Sequence, residues 1–270
     1  MDGFIKTIQQ LFNKRILRPI FSISKLGRNI IGGSADSGLN IDHIYRKHPK
    51  GITPVGKFVD SVLLNLPTVK ATRRKKDIII KIILNEIENN IFFGKKTRIL
   101  DLASGPARYL VDLVDEHSKN HVEALCLDID KRSVNFGKIL AGNKPIRYAR
   151  ANLFSLGHLK NFSKKVNWIP DIIMTTGFFE MQSDEVVKSF LAEIYKHLSC
   201  GGLVLFTAQA SNSNADLMKD IGLTMNGKKW TMFLRSPRQY RQWLLEAGFR
   251  DVIISLDNMG MYEYCTGRKI

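Results

Sequence analysis

Arg98-Ile99-Leu100-Asp101-Leu102-Ala103-Ser104-Gly105-Pro106-Ala107-Arg108-Tyr109-Leu110 is the stretch that decides the fold. An apolar run carrying one acid passes through a turn of small residues into a second, amphipathic run, the layout of strand, tight turn and helix. In an open α/β sheet a ligand sits beyond the carboxyl ends of the strands, where small residues let it approach the backbone and a helix N-terminus faces it. Twenty-seven residues after Asp101, Ala124-Leu125-Cys126-Leu127-Asp128 places another acid at the end of a second apolar strand. A carboxylate there can accept hydrogen bonds from two ribose hydroxyls. A dinucleotide-binding turn requires glycine at three positions, the third for close helix-to-strand packing. Aligned that way the chain offers Ala103, Gly105 and Arg108, which disfavours a dinucleotide.

Outward from this unit the alternation continues. Ile146-Arg147-Tyr148-Ala149 reads as a third strand with Asn152 just past its end, and Asp171-Ile172-Ile173-Met174-Thr175-Thr176-Gly177 as a fourth. Leu203-Val204-Leu205-Phe206-Thr207 is a fifth, and Ser236-Pro237 opens a helix that closes at Gly248 before Val252-Ile253-Ile254. Serine as N-cap, proline at the first helical position and glycine past the last turn mark both ends of that helix. With Met261-Tyr262-Glu263-Tyr264-Cys265-Thr266 pairing antiparallel at the end, the pattern predicts an α/β fold: a doubly wound, mostly parallel seven-stranded sheet with an N-terminal helical extension.

Written as Asp-x-Ala-x-Gly-x-Ala, residues 101–107 resemble motif I of class I S-adenosylmethionine (SAM) methyltransferases, with alanine at two of the usual glycine positions. Roughly residues 38–268 resemble a bacterial methyltransferase group of unknown substrate. That likeness is carried by Asp42-His43-Ile44-Tyr45-Arg46, Thr53-Pro54-Val55-Gly56, Trp230-Thr231-Met232 and Asp257-Asn258-Met259-Gly260-Met261. The resemblance implies SAM as cofactor and a Rossmann-like fold. It assigns cofactor contacts to the turn residues Asp101, Ala103, Ser104, Gly105 and Arg108. Beyond the later strands it adds Asp128, Ile129, Asn152, Leu153, Thr176 and Gly177. Asn152 stands where the pattern usually has an acid facing the adenine amine, and an amide can both accept from that amine and donate to the ring. Glu180, just past the fourth strand, is the leading candidate base, with His43 and Tyr45 as candidates from an upstream lid. Gln209-Ala210-Ser211-Asn212-Ser213-Asn214 replaces a tryptophan- and histidine-containing segment of the group, which bears on acceptor choice.

The chain has 270 residues, enough to bury a full core in one large domain plus an extension. Three segments are expected: a basic amphipathic arm (1–33), a helical lid or extension (38–93) and the SAM-binding domain (94–270). Ile31-Gly32-Gly33-Ser34-Ala35-Asp36-Ser37-Gly38 marks the first break. Cys126, Cys200 and Cys265 lack metal-ligand spacing, no metal constellation is visible, and the absence of a disulfide framework suits a reducing cytosol. No apolar run reaches the roughly 18 to 20 residues of a membrane span, and the N-terminus lacks signal-peptide form. A cytoplasmic location, peripheral to the membrane through residues 1–30, is the expectation.

Net charge is +16, and residues 1–80 hold 15 Lys/Arg against 5 Asp/Glu. Phe4, Ile5, Ile8, Leu11, Phe12, Ile16 and Ile20 recur at helical spacing among cations, as in a segment lying on an anionic membrane, one touching nucleic-acid phosphates, or a helix packed with a solvated basic face. Lys70, Arg73, Arg74, Lys75 and Lys76 read as a solvated helix face, with a grip on phosphates as the alternative. The acceptor is expected to be a small molecule or a membrane-associated lipid. RNA is the alternative acceptor, without a recognisable RNA module, and a noncatalytic SAM-binding or scaffold protein is the alternative class.

Overall fold

A computed structural model describes residues 9–114, 119–154 and 168–270. Expectations on Phe4, Ile5 and Ile8 fall outside them. The chain forms two compact units, residues 1–74 with 212–232, and residues 75–211 with 233–270.

The first unit is helical. A π-helical turn, Asn13–Leu17, runs into α1 (Arg18–Ser22) and α2 (Lys25–Asn29), whose N-cap Ser24 accepts from the Gly27 amide. Gly32 and Gly33 break the helical dihedrals, with Gly33 at φ +79°. Then come α3 (Gly38–Arg46), capped by Ser37, and α4 (Pro54–Leu64), capped by Thr53 with proline in its first turn. The start of α5 (Pro67–Phe92) and α9 (Ala215–Ile221) complete the unit. Phe21, Leu26, Ile30, Leu63, Leu64 and Ile221 lie in its core. Asp60, fully buried on α4, ties the unit together by accepting from the Leu26 amide (2.7 Å), the Lys50 amide (2.8 Å) and His43 Nε2 (2.8 Å).

The second unit is built on a seven-stranded sheet. Its strands are β1 (Thr97–Leu102), β2 (Val122–Asp128), β3 (Ile146–Arg150), β4 (Ile172–Thr176), β5 (Leu203–Gln209), β6 (Arg250–Leu256) and β7 (Tyr262–Arg268), in the spatial order β3-β2-β1-β4-β5-β7-β6. The sheet is mixed rather than mostly parallel as expected. The pairings from β3 to β5 are parallel, whereas β7 is antiparallel to both β5 and β6. The reason is the link from β6 to β7, five residues turning at Gly260 (φ +65°), because so short a connection can join only antiparallel strands.

Side chains alternate across the strands, so the register sorts them into two faces. Leu100, Leu102, Ile173, Val204 and Phe206 pack on one face against α8 (Asp184–His197) and α10 (Pro237–Glu246). The pairings Asp101 to Met174, Thr176 to Thr207 and Gln209 to Tyr262 put Asp101, Thr176, Gln209 and Tyr262 on the other. Chain order reverses at β1: β2 and β3 lie to one side and β4 and β5 to the other. The crevice outside such a reversal is where open α/β sheets bind ligands.

Candidate functional site

At that reversal Asp101, fully buried, is the last residue but one of β1, and the chain turns through three left-handed residues, Ala103 (φ +54°), Gly105 (φ +56°) and Ala107 (φ +48°), into α6 (Arg108–Leu113). Left-handed backbone costs a residue with a Cβ about 1–2 kcal/mol, a cost that Gly105 escapes and that Ala103 and Ala107 bear. Two contacts with the end of β2 hold it: the Ser104 amide donates to the Leu127 carbonyl (3.0 Å) and the Gly105 amide to Asp128 Oδ2 (2.7 Å). Asp128 Oδ1 accepts from the Asp130 amide (2.7 Å). The second-strand acid therefore organises the first-strand turn.

Asp101 Oδ2 accepts from the Tyr109 hydroxyl at 2.6 Å, and Oδ1, also buried, has no hydrogen-bond partner among the described residues. Burial pushes the Asp101 carboxyl up to about 8. The Tyr109 hydrogen bond works against that rise and the nearby Asp128 charge adds to it. Thr176 Oγ1 donates to the Tyr109 oxygen at 3.4 Å, joining the end of β4 to this pair. Gly177 follows at φ +92°.

The other expected cofactor positions are spread around the strand ends. Ile129 is exposed beside Asp128, Leu153 packs against the core, and Asn152 Oδ1 accepts from the Phe154 amide (3.0 Å). Arg108 Nη1 is 3.9 Å from Asp112, on its own helix.

Glu180 lies in a 3-10 turn, Phe179–Met181, and is buried. Its Oε2 accepts from Gln209 Nε2 at 2.8 Å, and its Oε1 has no hydrogen-bond partner among the described residues. Burial raises the Glu180 carboxyl, while the Lys75 charge and the Gln209 hydrogen bond pull it down. Lys75 is itself buried, its Nζ 4.5 Å from the centre of the Tyr262 ring, and burial holds its pKa below the usual value. A Cβ placed on Gly177 would stand 3.8 Å from that same Nζ. Lys75, Glu180, Gln209 and Tyr262 thus form one polar group beside the end of β4.

The solvated-face expectation fails at Lys75. Its position four and eight residues before the buried Ile79 and Ile83 puts it on the apolar face of α5, a spacing readable in the sequence. Tyr109 and Gln209 were missed as partners because pairing across strand and turn leaves no local signal. His43 and Tyr45 stand on α3 in the helical unit, where His43 is buried and bonded to Asp60. His117 and His158 fall outside the described residues.

A turn of left-handed small residues at a topological reversal, with an acid at the end of each flanking strand, is the arrangement that the family comparison explains. The family described as "Putative methyltransferase" matches residues 11–269. The chain belongs to that family. The chain is 24% identical over 235 residues, 84% of its length, to the uncharacterized protein YnbC of Escherichia coli (strain K12), and spans 39% of that relative. Among solved structures, a possible exported protein from Bordetella parapertussis matches with a TM-score of 0.70 at 17% identity, over 93% of this chain and 85% of that one. Magnesium protoporphyrin IX methyltransferase from Synechocystis PCC 6803, with bound SAH, matches with a TM-score of 0.58 at 10% identity, over 86% and 94%. These structures share the chain's fold.

Proposed function

We propose that the chain transfers the methyl group of SAM to a hydroxyl oxygen of a small-molecule or lipid acceptor. The observation that carries the cofactor reading is the buried, unpartnered Asp101 Oδ1 beside the left-handed turn. A buried polar atom without a partner costs about 1–3 kcal/mol, and an amino group of a ligand lying on the turn would satisfy it. Asp128 fits the ribose role. The Gly105 and Asp130 amides donate to its two oxygens and fix the carboxylate at the end of β2, where it suits a pair of hydroxyl donors. Ala103, Ser104 and Gly105 supply close backbone approach. Asn152, Leu153 and Ile129 are suited to the adenine, and Thr176 and Gly177 to the methionine side.

The cofactor supplies an electrophilic methyl on a sulfonium. Catalysis by this chain is then largely alignment of the nucleophile and exclusion of water. The polar group at the end of β4 suits a hydroxyl. Glu180 Oε1 can take the hydroxyl proton while the Lys75 ammonium steadies the oxygen as it becomes anionic. The bound cofactor would supply the methyl group to the acceptor oxygen, and the hydroxyl proton would pass to the Glu180 carboxylate. A protonated amine has no lone pair for this arrangement and would be repelled by Lys75.

Calorimetric titration with S-adenosylhomocysteine (SAH) tests the reading. The wild type is expected to bind saturably, and Asp128→Asn to bind about 10- to 100-fold more weakly, the scale of 1–3 kcal/mol for unpaired buried groups. A folded wild type that binds neither SAM nor SAH overturns it.

A further inference from the structure

The helical unit exposes large apolar side chains in register on two of its helices. Phe12, Ile16 and Ile20 repeat every fourth residue along the helical stretch 9–22 and are all exposed. On α4, Val55, Phe58 and Val62 recur at spacings of three and four, with exposures of 62%, 69% and 48%, and Ile52 just before the helix is 76% exposed. Single exposed apolar residues are ordinary, but a helical repeat of them marks an interaction face.

The chain just after the stretch 9–22 is tied to α4 and to the loop before it. The Lys25 amide donates to the Lys50 carbonyl at 2.8 Å, the Leu26 amide to Asp60, and Gly56 lies so close to the Ile23 carbonyl that a Cβ would stand 2.3 Å from it.

Charge separates the candidate partners. Residues 9–66 contain nine Lys/Arg and three acids. Asp42 and Asp60 are buried, and Asp36, partly buried, accepts from the Met225 amide, so this segment presents no exposed carboxylate. Lys14, Arg15, Arg18, Lys47, Lys50 and Lys57 are all exposed. A nucleic acid would meet the cations and gain little from Phe12, Phe58 and Val55. A bilayer with anionic headgroups takes both at once, the apolar side chains at the acyl boundary and the cations among the phosphates.

We infer that these two helices dock the protein on an anionic lipid bilayer, with Phe12, Ile16, Phe58 and Val62 as the inserting side chains. The inference stands on the helical unit alone and is independent of the methyl-transfer reading. It extends the expected contact of the arm to a second helix, whose exposed face only tertiary packing defines.

The test is co-sedimentation of the full chain with vesicles of phosphatidylglycerol and phosphatidylcholine, against vesicles of phosphatidylcholine alone. Binding confined to the anionic vesicles, weakened at least tenfold by Phe12→Ser/Ile16→Ser and separately by Phe58→Ser/Val62→Ser, is expected. Because these side chains are exposed, the variants should keep the wild-type melting temperature. Equal or absent binding to both vesicle types overturns the inference. So does retention of RNA that the serine variants leave untouched, or a concentration-dependent dimer that the same substitutions abolish.

Discussion

Asp101 sits at the end of a central strand with one oxygen bonded to Tyr109 and the other unpartnered, and its carboxyl is pushed up to about 8. An unfolded aspartate loses its proton near pH 4. Between about pH 4 and about 8 the folded chain therefore holds a proton that the unfolded chain has released, and stability falls as pH rises through that window. Asp101→Asn removes this term and keeps an acceptor for Tyr109, so the decline in melting temperature between about pH 5 and about 8 should flatten. Glu180 is tested through chemistry. Glu180→Gln should lower the rate of methyl transfer by about 10²- to 10⁴-fold while leaving SAH affinity within about twofold in calorimetry. That split separates a group that moves a proton from one that shapes the cofactor pocket. At this scale Asp101, Gly105 and Asp128 were legible because short strands and a tight turn carry local signals. The burial of Lys75 was obscured by the run of charge around it.

The helices of the N-terminal unit depend on a single carboxylate. Asp60 on α4 accepts from α2, α3 and the loop before α4. Burial alone would raise its pKa, but hydrogen bonds from His43 and from the amides of Lys50 and Leu26 prevail and hold it below the usual value. A depressed folded pKa contributes stability that is present above the unfolded value near 4 and lost as pH falls through the folded one. Acid titration followed by the fluorescence of Trp230, which lies in this unit, should show that loss. Asp60→Ala should cost about 3 kcal/mol or more in chemical denaturation, because it leaves the Leu26 and Lys50 amides and His43 without their buried acceptor at about 1–3 kcal/mol each. The cap of α10 was visible beforehand as Ser-Pro. The ties made by Asp60 were not, since they join positions 10 to 34 residues apart.

For the whole molecule, a net charge of +16 sets a field that attracts polyanions. Added salt screens that field, with a Debye length of about 8 Å at physiological ionic strength, but leaves apolar insertion in place. Anionic-vesicle affinity should therefore fall as ionic strength rises yet remain measurable, and Phe58→Ser should lose most of this salt-resistant remainder in the same sedimentation assay. Among the described residues no helix is long and apolar enough to cross a membrane. The α/β class, the strand-turn-helix at residues 98–110 and the two strand-end acids were determined by the sequence itself, because hydrophobic period, turn chemistry and chain order are local properties. Only the tertiary structure decided that residues 212–232 join the helical unit, that β7 lies between β5 and β6, and that Lys75 and Gln209 meet Glu180. Each of these rests on contacts between residues far apart in the chain, which packing selects and no local pattern encodes.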